Sequence, residues 1–114
     1  MPPKDWHVRI TDILGAIEKI DRYIGDLDFD SFCEDDKTAD AVIRNIGVIG
    51  GAIRMVPADI MERYPDVAWS ELWGMRNVVI HQYSSVDLEI VWGTIRIDLP
   101  LLKAQMQHIL DTAE

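Results

Sequence analysis

Apolar residues recur every three or four positions along most of the chain, which is the spacing of one face of an α-helix. Charged residues fill the positions between them. The first apolar stripe lies between about Asp5 and Leu27 and consists of Trp6, Ile10, Ile13, Leu14, Ile17, Ile20, Ile24 and Leu27. The pattern predicts an amphipathic helix of about six turns, with Asp5 as a candidate N-cap.

The segment Asp26–Lys37 that follows is rich in acidic residues, which surround the aromatic residues Phe29 and Phe32. We predict a solvated loop whose two aromatic rings pack on the core. A loop that binds a divalent metal is the alternative, although the central glycine and terminal glutamate of an EF-hand are absent.

A second helix is predicted from about Thr38 to Met55. Its apolar stripe consists of Val42, Ile46, Ile49, Ile53 and Val56. Three glycines lie inside it, at Gly47, Gly50 and Gly51. Each costs up to about 1 kcal/mol relative to alanine. Because small residues let another backbone approach closely, the glycines predict a tight helix crossing, within the chain or across a dimer.

The spacing of apolar residues in the second half of the chain predicts three more helical segments. A short one, Ala58–Arg63, has Pro57 in front of it, at a position suited to the first helical turn. Another runs from about Glu71 to Tyr83, with Ser70 as its N-cap. The last begins near Asp87 and has the apolar stripe Leu88, Val91, Trp92, Ile95, Leu99, Leu102, Met106, Ile109 and Leu110.

Pro100 lies within that last stripe, so we expect it to kink the helix. Strand signals are weak, because the β-branched runs at 78–80 and 95–97 are short and follow the helical spacing. The predicted fold is therefore all-α: an antiparallel up-and-down four-helix bundle with one additional short helix.

Composition narrows the classes of protein. The chain has 114 residues and 48% hydrophobic residues, which favours one folded domain over a disordered chain. Neither a signal peptide nor a membrane span is predicted, and the single Cys33 excludes an internal disulfide and a cysteine-built zinc site. A cytoplasmic protein is expected. A net charge of −9 disfavours sequence-independent binding to nucleic acid or anionic membranes.

The residues best suited to chemistry lie together at the predicted end of the helix that begins near Glu71: Arg76, Asn77, His81 and Tyr83. Arginine binds a phosphate with two hydrogen bonds, and histidine transfers protons near neutral pH. Such a pair cleaves RNA without a metal, because the adjacent 2′-hydroxyl supplies the nucleophile. The structural alternative is that these side chains are satisfied by neighbouring helices. His7 and His108 are expected to have ordinary surface roles.

Helical geometry restricts how these side chains meet. On an ideal helix Arg76 and Tyr83 are about 20° apart, whereas Arg76 and His81 are about 140° apart. His81 therefore joins the other two only if the helix unwinds near Ser84 and Ser85, or if a second subunit supplies the complementary side chain.

The segment from Trp73 to Tyr83 resembles the signature of the HEPN superfamily, in particular the HepT-like family of small bacterial and archaeal toxins. That family's motif is an arginine, four residues, a histidine, one residue and a tyrosine, which falls here on Arg76, His81 and Tyr83. The resemblance covers nearly the whole chain and includes residues 41–46, 62–67, Trp69, 87–92 and 98–100.

The resemblance implies one HEPN domain over residues 1–114 and a homodimer in which two motif copies face a shared cleft. It further implies a metal-independent endoribonuclease without a cofactor, neutralised by a minimal nucleotidyltransferase antitoxin that transfers AMP to a tyrosine. Carried over, Arg76 would bind the scissile phosphate and His81 would act as general acid and base. Tyr83 would accept AMP and contribute to substrate binding, and Asn77 would orient a neighbouring side chain.

Two features qualify this resemblance. Where the family pattern has an acidic residue in the second helix, this chain has Gly51. An acidic chain would also need Arg44, Arg54 and Arg76 to line the cleft, while the acidic stretch Asp26–Asp40 faces away. Two alternatives therefore stay open: a non-catalytic partner of a nucleotidyltransferase, and a structural dimer with a buried polar network.

Overall fold

In the computed structural model, residues 5–74 and 87–113 are described. The elements are α1 (Asp5–Ile24), α2 (Phe29–Glu34), α3 (Asp36–Ile53), α4 (Ala58–Arg63), α5 (69–74), α6 (Leu88–Gly93), a π-helix (Thr94–Asp98) and α7 (Leu99–Thr112). These ranges contain no strand, and the all-α bundle is confirmed. Most of the helix predicted from Glu71 to Tyr83 lies outside the described residues.

The core forms chiefly between α1 and α3, and α7 packs against α1. The three predicted stripes are confirmed, because most of their residues are buried in one cluster. Ile13 of α1 and Ile49 of α3, for example, are fully buried. Each such side chain contributes about 1.5–3 kcal/mol to the free energy of unfolding.

The first helix is shorter than predicted, because it ends at Ile24 instead of Leu27. Gly25 adopts a φ of 50°, a left-handed conformation that favours glycine. Its N–H donates to the carbonyl of Asp21 at 3.0 Å. Gly25 is therefore the C-terminal stop of α1, a standard role of glycine after a helix.

The prediction of a solvated loop at Asp26–Lys37 is wrong, since α2 lies inside this segment. Asp28 caps α2 by accepting from the Ser31 N–H at 2.8 Å. Asp35 caps α3 by accepting from the Thr38 N–H at 3.0 Å and the Thr38 hydroxyl at 2.7 Å. Two carboxylates that resembled loop or metal-binding residues thus start helices.

The aromatic residues of this segment do pack on the core, as predicted. Phe32 is fully buried and Phe29 is partly buried against the same cluster. No group of three or more histidine, cysteine or acidic side chains that could hold a metal occurs within residues 5–74 and 87–113.

The disturbance predicted at Pro100 occurs as a π-helical turn before it. The Leu99 N–H donates to the carbonyl of Thr94, five residues earlier. Pro100 has no N–H for the carbonyl of Arg96 and would clash with it in a regular helix. The wider turn avoids that conflict.

Three smaller expectations can be compared with the structure. The bounds of α4 are those predicted, although Pro57 stands just before the helix as its N-cap. α5 begins at residue 69, before the predicted cap Ser70. At Gly47 an added Cβ would meet no atom within 4 Å, so the described residues make no tight helix crossing there.

None of the described helices has both the length and the apolar character needed to cross a membrane.

The cap at Asp35 makes stability depend on pH. The Thr38 N–H and hydroxyl lower the pKa of Asp35 below its ordinary value of 3.8. This stabilisation is fully present above the unfolded-state pKa and is lost as the pH falls through the lower folded-state value. We expect Asp35→Ala to melt below the wild type at pH 7 in circular dichroism, by a margin that shrinks below about pH 4.

Asp26→Ala is the matched control, because Asp26 is exposed and caps neither α2 nor α3. Loss of any one carboxylate also relieves some repulsion in a chain of net charge −9. Equal melting temperatures for the Asp35 and Asp26 variants at pH 7 would contradict the capping role.

Candidate functional site

Four of the five predicted site residues, Arg76, Asn77, His81 and Tyr83, lie in the segment 75–86, outside the described residues. The fifth, Arg44, is described and is exposed on α3. The structure therefore defines the two ends of this segment, the helices that hold those ends, and the side chains beside them.

The end that leads into the segment is held by a tether to α7. The Trp69 indole N–H donates to the carbonyl of Tyr64 at 2.9 Å. The Tyr64 hydroxyl in turn lies 2.8 Å from the hydroxyl of Thr112, at the end of α7. In α5, Leu72 is buried in the core. The chain therefore approaches residue 75 from a fixed position.

The end that leads out of the segment is held by α2. Asp87 caps α6 by accepting from the Glu89 N–H at 2.9 Å. One turn into α6, the ring of Trp92 lies 5.2 Å from that of Phe32 and 5.9 Å from that of Phe29, between centroids. Burial and ring contact thus fix α6 against the core.

This contact also places the acidic stretch. That the stretch Asp26–Asp40 faces away from the candidate site stays a prediction, since the site residues lie outside the described residues. Among the described elements, α2 packs against α6, which begins two residues after the segment 75–86. The two acidic side chains of α2, Asp30 and Glu34, are exposed. They place negative charge close to the outgoing end of the segment.

Next to the incoming end, Arg54 stacks on Trp73. The guanidinium carbon lies 4.2 Å from the centroid of the ring, a close cation–π contact. The Trp73 side chain is 48% exposed. Nε and Nη2 of Arg54 are shielded from water and have no hydrogen-bond partner in the described part of the chain.

The two described arginines proposed to line a cleft do not meet. Arg44 and Arg54 are ten residues apart along α3, which corresponds to about 15 Å along the helix axis. Arg54 follows the last residue of α3 and touches α5, whereas Arg44 lies in the middle of the helix. Of these two, Arg54 is therefore the one in contact with the helix that leads into the segment 75–86.

The other histidines have packing roles. His7 stacks on Trp6 with a centroid distance of 3.8 Å, and His108 contacts the ring of Tyr64 edge-on at 6.0 Å. This agrees with the ordinary roles expected for both.

Sequence reasoning named Arg54 as a cleft arginine but missed its contact with Trp73. The two residues are 19 positions apart and belong to different helices, so no pattern within one helix signals the contact.

Comparison with known proteins identifies the family these features fit. The sequence matches the family described as "Ribonuclease HepT-like" over residues 13–109. It is 37% identical over 114 residues to "Putative RNase MJ0125" of Methanocaldococcus jannaschii, which covers 100% of this chain and 98% of that protein. It is 36% identical over 100 residues to "Probable ribonuclease HepT" of Thermococcus cleftensis, which covers 88% of this chain and 91% of that protein. No solved structure matches the chain.

Proposed function

The chain belongs to the family of HepT-like ribonucleases, and from this membership we propose that it is the toxin of a toxin–antitoxin pair. It cleaves RNA internally, at a site that forms between two copies of the chain. The observation that carries the proposal is the motif Arg76, His81 and Tyr83 in a chain that matches the family over residues 13–109. The enzyme class predicted from the sequence, a ribonuclease, is confirmed.

The proposed reaction uses the RNA's own 2′-hydroxyl. His81 takes the proton of this hydroxyl, and the oxygen attacks the adjacent phosphorus. The bond from phosphorus to the 5′-oxygen breaks, and a protonated histidine returns a proton to that leaving oxygen. Arg76 binds the phosphate and stabilises the charge that develops on it. No metal or oxidant enters this balance.

A homodimer supplies the geometry. Because Arg76 and His81 are about 140° apart on an ideal helix, one regular helix does not direct both at the same phosphate. Two copies related by a two-fold axis let Arg76 of one protomer face the partner's His81. Asn77 would orient one of these groups, and Arg44, exposed on α3, would contact the RNA backbone.

The antitoxin in this proposal is a minimal nucleotidyltransferase that transfers AMP to Tyr83. The modification adds a negative phosphate where the RNA phosphate must bind, and it thereby blocks the site. The exposed acidic side chains of α2 beside α6 suit a contact with a basic surface of this partner.

Replacement of His81 tests the catalytic proposal. We expect His81→Ala to reduce the rate of RNA cleavage by about 100-fold or more, because general acid–base catalysis contributes about 10²- to 10⁴-fold. The assay uses the purified chain and a fluorescent single-stranded RNA in the presence of EDTA. His108→Ala is the matched control, since His108 is exposed and packs on Tyr64.

A second substrate checks the chemistry. The same strand made with 2′-deoxy residues throughout should resist cleavage, because it lacks the 2′-hydroxyl nucleophile. Equal cleavage rates for the wild type and His81→Ala would contradict the assignment of His81, and cleavage of the deoxy substrate would contradict the mechanism.

The proposed modification is tested by intact mass. Co-expression with a minimal nucleotidyltransferase antitoxin should give the mass of an AMP adduct, and Tyr83→Phe should abolish it. Tyr23→Phe is the matched control, because Tyr23 is an exposed tyrosine on α1. An unchanged adduct in Tyr83→Phe would refute Tyr83 as the acceptor.

Gly51, in the place of an acidic residue, is the observation that favours the alternative of a non-catalytic partner. An adduct on Tyr83 in a chain whose unmodified form does not cleave RNA would support that alternative.

A further inference from the structure

We propose that the outer face of α6, the π-helix and α7 is an interface between two copies of this chain. Ile90, Ile97 and Leu101 of one protomer pack beside the same residues of the partner, about a two-fold axis that runs parallel to the helices. The contact depends on described residues alone. Its role in RNA cleavage rests on the proposed function, in which two copies share a site.

The three most exposed large apolar side chains among the described residues lie on this face. Ile97 is 74% exposed, Ile90 is 65% exposed and Leu101 is 61% exposed. They are separated by seven and four residues, which is about two turns and one turn of a helix, so they point to the same side. An exposed apolar patch of aligned side chains is typical of a site of protein interaction.

The opposite side of the same helices is held by the core. Val91, Ile95 and Leu99 are buried there, and the ring of Trp92 lies 5.2 Å from that of Phe32. The exposed residues are therefore not the result of a loosely attached helix. One side of this element is committed to the core, and the other presents an apolar surface to the solvent.

Small residues lie between the large ones on the outer face. Gly93 is one turn before Ile97, and the exposed Ala104 is about one turn after Leu101. A Cβ added at Gly93 would meet no atom within 4 Å, so there is open space beside it. Large side chains of one copy can fit beside the small residues of the other, as they do where two helices interdigitate.

The charges beside this face favour a second copy of the chain as the occupant. Arg96 and Asp98 flank Ile97 and point about 100° to either side of it on an ideal helix. Both are exposed, and neither forms an ion pair among the described residues. Arg96 lies over Trp92 at 5.8 Å but stays open to solvent. A partner of one charge would suit only one flank, whereas a second copy offers both charges.

The same charges select the parallel orientation. When the two-fold axis runs along the helices, opposite flanks of the two copies meet. Arg96 of each protomer then faces Asp98 of the partner subunit, and two ion pairs enclose Ile97. In an antiparallel pair equal flanks would meet, so that Arg96 would face Arg96 and like charges would repel.

Parallel packing also places the first residues of α6 from both copies at the same end of the dimer. Asp87, the cap of α6, directly follows the segment 75–86. The two segments therefore end side by side, which is what a site shared between protomers requires. An antiparallel pair would separate these two ends by the length of the helices.

The test measures self-association of the full chain by analytical ultracentrifugation over a range of concentrations. The wild type should form dimers. We expect Ile97→Glu to raise the Kd of the dimer about 100-fold or more, because two carboxylates would face each other in an apolar contact. Val8→Glu is the matched control, since Val8 is a 53% exposed residue on α1. It should change the Kd less than about threefold.

Exchange of the flanking charges tests the pairing. Arg96→Asp and Asp98→Arg should each raise the Kd about tenfold, because each brings like charges together. The double variant restores opposite charges across the axis and should return the Kd to within about threefold of the wild type. Residues two positions apart on one helix do not face each other, so this recovery cannot come from a contact inside a protomer.

Disulfide trapping tests the orientation. In a Cys33→Ala background, Ile90→Cys and Leu101→Cys should each form a disulfide with the same position of the partner, because parallel packing brings equal positions together. A disulfide from Ile97→Cys alone would overturn the parallel arrangement.

The outcomes separate this interface from the proposed function. Equal dimer Kd values for Ile97→Glu and Val8→Glu would overturn the interface, even if the wild type cleaves RNA. Unchanged self-association together with lost binding of a minimal nucleotidyltransferase would assign the face to that protein and would also overturn it. A monomeric Ile97→Glu protein that no longer cleaves RNA supports the interface and the shared site together. A monomeric Ile97→Glu protein with full cleavage activity supports the interface and contradicts the shared site.

Discussion

Burial of the isoleucine-rich face of α1 against α3 is the interaction on which the rest of the structure depends. The two helices form the main contact of the described core, and α7 packs on α1 beside it. Through α7, the linker before α5 is tethered by Tyr64 and Thr112. Through α3, Arg54 reaches Trp73. The ends of the segment 75–86 are thus positioned by a core that contributes no chemistry itself, a common division between scaffold and site.

The second constraint is charge. A chain with a net charge of −9 cannot rely on a general attraction to bind RNA. In the proposed function, the phosphate contacts therefore come from a few guanidinium groups held close to the strand. Two of the carboxylates, Asp28 and Asp35, are committed to helix caps. The exposed acidic residues of α2 lie beside α6, which begins two residues after the segment 75–86, and this suits the proposed contact with a protein partner.

The helices and their buried faces were predictable from the sequence because periodic burial determines both. Stripes such as Val42, Ile46 and Ile49 are buried as expected. The errors came from residues with two readings. Aspartate favours both loops and N-caps, so α2 was missed, and glycine at 25 was not recognised as a helix stop. For the site, motif spacing indicated the chemistry. The contact between Arg54 and Trp73 joins residues 19 positions apart, and no local pattern predicts such a pair.

In the proposed mechanism, Arg76 of one protomer and the partner's His81 act on the same phosphate. The most direct test is a heterodimer of Arg76→Ala and His81→Ala chains, purified through two different tags. Each homodimer variant should be inactive, while the heterodimer keeps one intact shared site and should have about half of the wild-type activity. A heterodimer that assembles but cleaves no RNA would place both residues in the site of a single protomer, and it would contradict a site shared between protomers.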